Sequence, residues 1–194
     1  MALNFPTKKA NPNKPKVINK ANLGMDLENL LNETNEYYLG NNIANIHKKP
    51  TPIQIVKVDY PSRNKAVIKE AYYKTPSTTD YNGIYKGKYI DFEAKENHNK
   101  TAFPLANIHP HQMEHLKSII SHGGIGFLIV AWNKYNEYYL LPFEVANEYW
   151  ENAFNNDERK SIPYSVFKEK AYLIKEGYLP RLNYLKVVDE VYLK

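Results

Sequence analysis

The sequence predicts a mixed α/β domain, a central β-sheet flanked by helices, and three observations predict it. Leu27, Leu30, Leu31 and Tyr38 recur near helical spacing, residues Tyr89 to Lys95 alternate with period two, and Ile125 to Trp132 is a strongly apolar run of strand length. At 194 residues the chain fits a single domain with a sizeable core. Lys plus Arg exceed Asp plus Glu by 26 to 21, a net +5 that suits a polyanionic partner without proving one. The chain has no cysteine, which excludes a disulfide framework and a thiolate metal site and fits a reducing cytoplasm. The absence of an apolar leader core or a membrane-length run leads us to expect no membrane association.

Taken in order, residues 1–21 are expected to be a disordered basic arm, since residues 1–20 hold five lysines, three prolines and no acid. Such an arm suits phosphate tracking, and equally a solubilising tail. Residues 22–194 then form one domain. A helix is predicted over Gly24 to Tyr38, with Glu28 beside its apolar stripe as either a site residue or a boundary charge. A short strand follows at Ile43 to Ile46, and Lys48-Lys49-Pro50-Thr51-Pro52 interrupts regular structure. Ile53 to Val58 and Lys65 to Tyr73 read as extended, with Asp59-Tyr60-Pro61-Ser62-Arg63-Asn64 between them. Tyr85-Lys86-Gly87-Lys88 supplies a hairpin turn, one residue short of phosphate-loop spacing and followed by Tyr89 where Ser or Thr would be needed, so an NTPase is excluded. Pro110 suits the first turn of a helix reaching about His122, closed by Gly123. Ile125 to Trp132 and Glu137 to Leu141 read as paired central strands. Val145 to Trp150, Tyr164 to Leu173 and Leu182 to Leu193 read as helices carrying core or dimer contacts.

The chemistry concentrates on the hairpin. Along a strand, Tyr89, Asp91, Glu93 and Lys95 share one face and Ile90, Phe92 and Ala94 the other, so the first set is expected to point outward and the second into a core. Asp80 is expected on the preceding strand. Two carboxylates suffice for Mg2+, which prefers oxygen ligands and retains waters. A divalent ion so held activates water and neutralises charge on a phosphodiester. Lys95, a compact charge on a flexible stem, suits orienting the attacking water or stabilising the transition state. Asp, twelve intervening residues, then Glu-x-Lys is the signature of PD-(D/E)xK nucleases, and by itself it also fits a solvated hairpin with alternating charges.

Longer blocks resemble the RecU-type Holliday junction resolvases. They are His47 to Val58, Asp59-Tyr60-Pro61 with Arg63, Pro76 to Gly83, Lys86 to Glu96, Phe103-Pro104-Leu105, Asn107-Ile108-His109 and His111-Gln112. Upstream, Gly24-Met25, Leu27-Glu28, Thr34-Asn35 and Tyr37-Tyr38 resemble the family's first helix; the likeness runs from about residue 22 to 192. It implies a restriction-endonuclease-like mixed sheet with a projecting basic stalk near residues 57–67. It further implies a homodimeric, Mg2+-dependent endonuclease, Mn2+ substituting, that cuts four-way DNA junctions by paired incisions in recombination and repair. By position, Asp80 and Glu93 resemble metal ligands, Lys95 the catalytic lysine, and Thr79 and Gln112 supporting residues of the metal site. Glu28 corresponds to a first-helix glutamate common in related nucleases. The superfamily motif places proline before the first acid; Thr79 stands there, in keeping with the family's Thr-Thr-Asp.

Lys48, Lys49, Lys57, Arg63 and Lys65 become candidate phosphate contacts, which position DNA without reading its sequence. Tyr60 either stacks on an unpaired base or packs within the stalk. Gln112 either reaches an active site or is a surface residue. His111 and His115 have helical zinc-pair spacing but lack the intervening glutamate of a zinc protease, so solvated histidines are the alternative. A different PD-(D/E)xK nuclease, or a junction-binding, recombinase-modulating protein with little nuclease activity, are the competing functions; RecU-type proteins are thought to act on the strand-exchange recombinase as well.

Overall fold

In the computed structural model, the described residues are 26–62, 65–74, 78–155 and 159–194. The basic arm and Arg63 lie outside them. A six-stranded mixed sheet forms the centre, in the order β1 (Asn45–Lys48), β4 (Tyr81–Tyr85), β5 (Lys88–Asn97), β7 (Ile125–Trp132), β8 (Glu137–Pro142) and β10 (Tyr172–Ile174). β5 and β7 run parallel and are joined by a crossover through α2 (Pro110–Ser121); the other neighbours are antiparallel. All eight residues of β7 are buried, which accounts for its unbroken apolar sequence. Its Phe127 and Ile129 face α1 (Leu27–Gly40) and α5 (Tyr184–Tyr192), whereas Leu128, Val130 and Trp132 face α2, α3 (Phe143–Asn155) and α4 (Tyr164–Lys170). The sheet therefore has a core on each side, and β5 must place one side chain of every neighbouring pair in each.

Local chemistry sets the elements that frame the site. Asp26 caps α1 by accepting from the Asn29 N–H at 2.8 Å, and Glu96 at the end of β5 accepts from the Leu27 N–H at 2.8 Å. Those bonds fasten the start of α1 to β5. Lys86 and Gly87 turn the β4–β5 hairpin with φ of 48° and 75°, the left-handed pair that a two-residue turn requires. Behind the hairpin, Tyr81, Phe92 and Phe127 stack with ring centroids 4.9 and 5.0 Å apart.

Gly83 allows β1 to lie against β4. A Cβ there would fall 2.0 Å from the Asn45 carbonyl oxygen and 2.5 Å from Ile46 Cα, both backbone atoms. Gly83→Ala is expected to lower stability by about 2–3 kcal/mol, read as a fall in melting temperature, because neither strand can yield without breaking the pairing.

The strands β2 (Ile53–Ser62) and β3 (Lys65–Tyr73) form a separate two-stranded ribbon. Register shifts after Ile55, Lys57 and Asp59 break the simple alternation expected over Ile53 to Val58. The described residues of the ribbon are exposed except Val58.

Two expected boundaries need correction: the strand expected at Ile43 to Ile46 is β1, Asn45–Lys48, and the helix expected over Tyr164 to Leu173 ends earlier. Tyr172 and Leu173, placed in a helix by sequence, belong to β10: α4 stops at Lys170, Ala171 turns extended, and the chain pairs with the edge of β8 through Tyr172 and Leu140. Tertiary edge pairing overrides a short segment's local preference. The short pair β6 (Ala102–Pro104) and β9 (Ser161–Pro163) was not anticipated. Among the described residues no helix is long and apolar enough to cross a membrane.

Candidate active site

Asp91 and Glu93 share a face of β5, but that face is not open to solvent. They are 0% and 1% exposed, which corrects the outward placement: α2 lies over this side of the sheet and covers them. Asp80 sits in the bend just before β4 rather than on the strand. Its backbone N–H donates to Glu93 Oε2 at 3.2 Å, and its Oδ2 accepts from the Ala94 N–H at 3.3 Å. The two acids are thus joined through the hairpin backbone.

Glu93 Oε1 receives Lys95 Nζ at 2.8 Å and Gln112 Nε2 at 2.6 Å. Gln112 occupies the first turn of α2, where its Oε1 also accepts from the His109 N–H at 2.9 Å. It is buried, so the alternative of a surface glutamine is excluded. Burial first, and the neighbouring Asp80 charge second, push the Glu93 carboxyl up to about 8 against the opposing effect of Lys95. The pair is therefore short of positive charge. A divalent cation bound by oxygen ligands fits that deficit and the donor set. Among the described residues no group of three or more His, Cys, Asp or Glu side chains is placed to hold a metal, so the fit rests on two carboxylates with waters and substrate oxygens.

Asp80 lies on the wall of two adjoining pockets. One, of about 240 Å3, is lined by Glu28, Lys48, Asp80 and Glu96 among others. Here Glu28 Oε1 holds Lys48 Nζ at 2.5 Å. The second, of about 230 Å3, runs from Lys48 and Lys49 past Thr78 to Asp80. Thr79 is buried, and its hydroxyl donates to Asp91 and accepts from Lys49 Nζ at 3.0 Å. It thus supports the bend from within, while Thr78 is the half-exposed threonine.

Of the proposed DNA contacts, Lys57, Lys65 and Tyr60 are exposed on the ribbon, Tyr60 at 70%, so it does not pack there. Lys49 differs: its ammonium is held by Asp91 at 2.8 Å. His115 Nε2 also lies 3.1 Å from Asp91, while His111 stacks on His109 at 5.5 Å, so the two histidines do not converge as a zinc pair. Sequence reading missed the roles of Asp91 and His115. The signal available was the i, i+2 spacing of Asp91 and Glu93 against the i, i+3 spacing of Gln112 and His115, which lets one helix face serve both acids.

The family model described as recombination protein U matches residues 22–190. A protein of Bacillus cereus strain G9842 called Holliday junction resolvase RecU is 57% identical over 172 residues, covering 89% of this chain and 86% of that protein. The protein of the same description from Bacillus anthracis strain CDC 684 / NRRL 3495 is 58% identical over the same shares. A looser likeness, TM-score 0.38 at 10% identity, covers 67% of this chain and 83% of Archaeoglobus fulgidus Hjc, a Holliday junction resolvase. With the family match spanning the hairpin, the bend at Asp80 and helix α2, this chain belongs to the RecU family.

Proposed function

We propose that this chain is a Mg2+-dependent endonuclease that resolves four-way DNA junctions by paired symmetric incisions in homologous recombination and repair. The observation that carries this reading is the joined pair of Asp80 and Glu93, with Lys95 and Gln112 both bound to Glu93. The relatives named Holliday junction resolvase supply the substrate class. Bound Mg2+ would supply an activated water and neutralise charge on the phosphoryl oxygens. Asp80 and Glu93 would hold it; Gln112 fixes the Glu93 rotamer through its bond to Oε1, and Lys95, whose ammonium lies on the same carboxylate, would orient the attacking water or stabilise charge on the phosphoryl group. Glu28 and Lys48 form the rim where the strand enters, and a phosphate competes with Glu28 for Lys48.

Lys57, Tyr60 and Lys65 on the ribbon, together with Arg63, contact the junction. A homodimer with cyclic two-fold symmetry brings two like sites to one two-fold substrate. The exposed Ile53, Ile55, Val56, Val67 and Ile68 support a partner for a ribbon that is marginal alone. The cytoplasm is the expected location.

Incubating a synthetic four-way junction and a matched duplex with the protein, in Mg2+ or chelator, tests the reading. Symmetric nicks in the junction alone, requiring Mg2+, are expected. Cutting both substrates equally would point to a general nuclease, and tight binding without cutting to a recombinase-modulating protein. Mg2+ affinity is expected to rise with pH up to about 8, because the ion must displace the proton that Glu93 retains below that value. Titration calorimetry from pH 6 to 9 should show about a tenfold gain per pH unit on the acid side and a plateau beyond.

A further inference from the structure

Asp91 is fully buried two residues before Glu93, and its oxygens are crowded with donors. Thr79 Oγ1 donates to Oδ1, while Lys49 Nζ at 2.8 Å, the Tyr89 hydroxyl at 3.0 Å and His115 Nε2 at 3.1 Å gather on Oδ2. A buried carboxylate is tolerated when it is paired and its lone pairs are used, and both conditions hold here. Lys49 grips the dipeptide Thr79-Asp80 at two points. Its Nζ donates to Thr79 Oγ1 at 3.0 Å, and its backbone N–H donates to the Asp80 carbonyl at 2.7 Å. Asp80 in turn donates its N–H to Glu93. From α2, Gln112 reaches Glu93 and His115, three residues later on the same helix face, reaches Asp91.

We propose that Asp91 and Lys49 are a positioning pair for the cleavage site: their buried ion pair locks the Thr79-Asp80 bend and so sets the Asp80 carboxylate against Glu93. This rests on the nuclease reading of Asp80 and Glu93. A surface phosphate contact is the other role open to Lys49, and its geometry disfavours that role. The side chain is only 17% exposed, and its ammonium lies within reach of Asp91, Thr79 and His115. Asp91 also serves better as an acid than as an amide: an amide would remove the negative charge that pairs with Lys49 and leave one acceptor oxygen where the carboxylate has two.

The test combines three readouts on Thr79→Val, Thr79→Ser, Asp91→Asn and Lys49→Met: Mg2+ affinity by calorimetry, junction affinity in chelator, and cleavage against Mg2+ concentration. Supporting residues behind metal ligands typically change metal affinity about 10- to 100-fold. Thr79→Val, Asp91→Asn and Lys49→Met are therefore expected to weaken Mg2+ binding by about tenfold or more while junction affinity stays within about twofold. Thr79→Ser, which keeps the hydroxyl, recovers most of that loss. The proposal is overturned if Thr79→Val binds Mg2+ as the parent does, or if Lys49→Met weakens junction binding and leaves Mg2+ affinity unchanged. Thr79→Val keeps the side-chain shape, so it decides the matter even where Asp91→Asn lowers the melting temperature. Should the parent protein bind Mg2+ but cut nothing, the nuclease reading fails, and the Mg2+ affinities alone still decide whether the pair positions Asp80.

Discussion

Asp80→Ala and Glu93→Ala are each expected to reduce junction cleavage by at least about a thousandfold while leaving junction affinity in chelator within about threefold. The asymmetry follows from where the acids lie. The two are joined at the base of the hairpin, Asp80 N–H to Glu93 Oε2, and neither belongs to the two-stranded ribbon that is proposed to contact the junction. Loss of cleavage and binding together would indicate a folding defect and would leave the assignment without support. Glu93→Gln separates the two effects further. A carboxyl whose pKa is raised from 4.5 to about 8 on folding binds its proton more tightly in the native state. Its contribution to stability is complete below about 4.5 and is lost as pH rises through about 8. The parent in chelator should therefore lose melting temperature as pH rises from 7 to 9, whereas Glu93→Gln, which has no proton to lose there, should lose less, although it does not cut. An equal loss in both proteins would contradict the assigned cause, namely burial beside Asp80.

Shortening the stalk should alter selectivity instead. Asp59 pairs with Val67, so replacing residues 60–66 by Asn-Gly closes the ribbon with a two-residue turn and removes Tyr60, Arg63 and Lys65 together. Stacking on one base is worth about 1–3 kcal/mol, and 1.4 kcal/mol is a factor of ten. The preference for a junction over a duplex is expected to fall about ten- to a hundredfold, with Mg2+ affinity unchanged. Competition binding at fixed salt measures it, because the phosphate component depends steeply on ionic strength. An unchanged preference would remove the ribbon from junction recognition.

Most of the framework was legible because periodicity reports burial. The run Ile125–Trp132 is a strand buried on both faces, and Lys65–Tyr73 and the Lys86-Gly87 turn occur where their residues indicate. Pro110 and Gly123 frame α2 for equally local reasons. Period two also sorted the side chains of β5 correctly into two sets. It could not say that both sets are covered, since that depends on α2 packing over Asp91 and Glu93. The same limit explains β10, whose strand state depends on the open edge of β8 and not on its own three residues.

By itself the sequence determined the alternation that groups Asp91, Glu93 and Lys95, the turn that returns β5 to β4, and the family to which the chain belongs. Only the tertiary structure decided that Glu93 is buried beside Asp80, which pushes its carboxyl up to about 8, and that Lys49 and Thr79 meet Asp91. The reason is physical. Strand spacing is fixed by covalent geometry along the chain, whereas desolvation and ion pairing depend on groups as remote as Lys49 and His115, brought together only when helix and sheet pack.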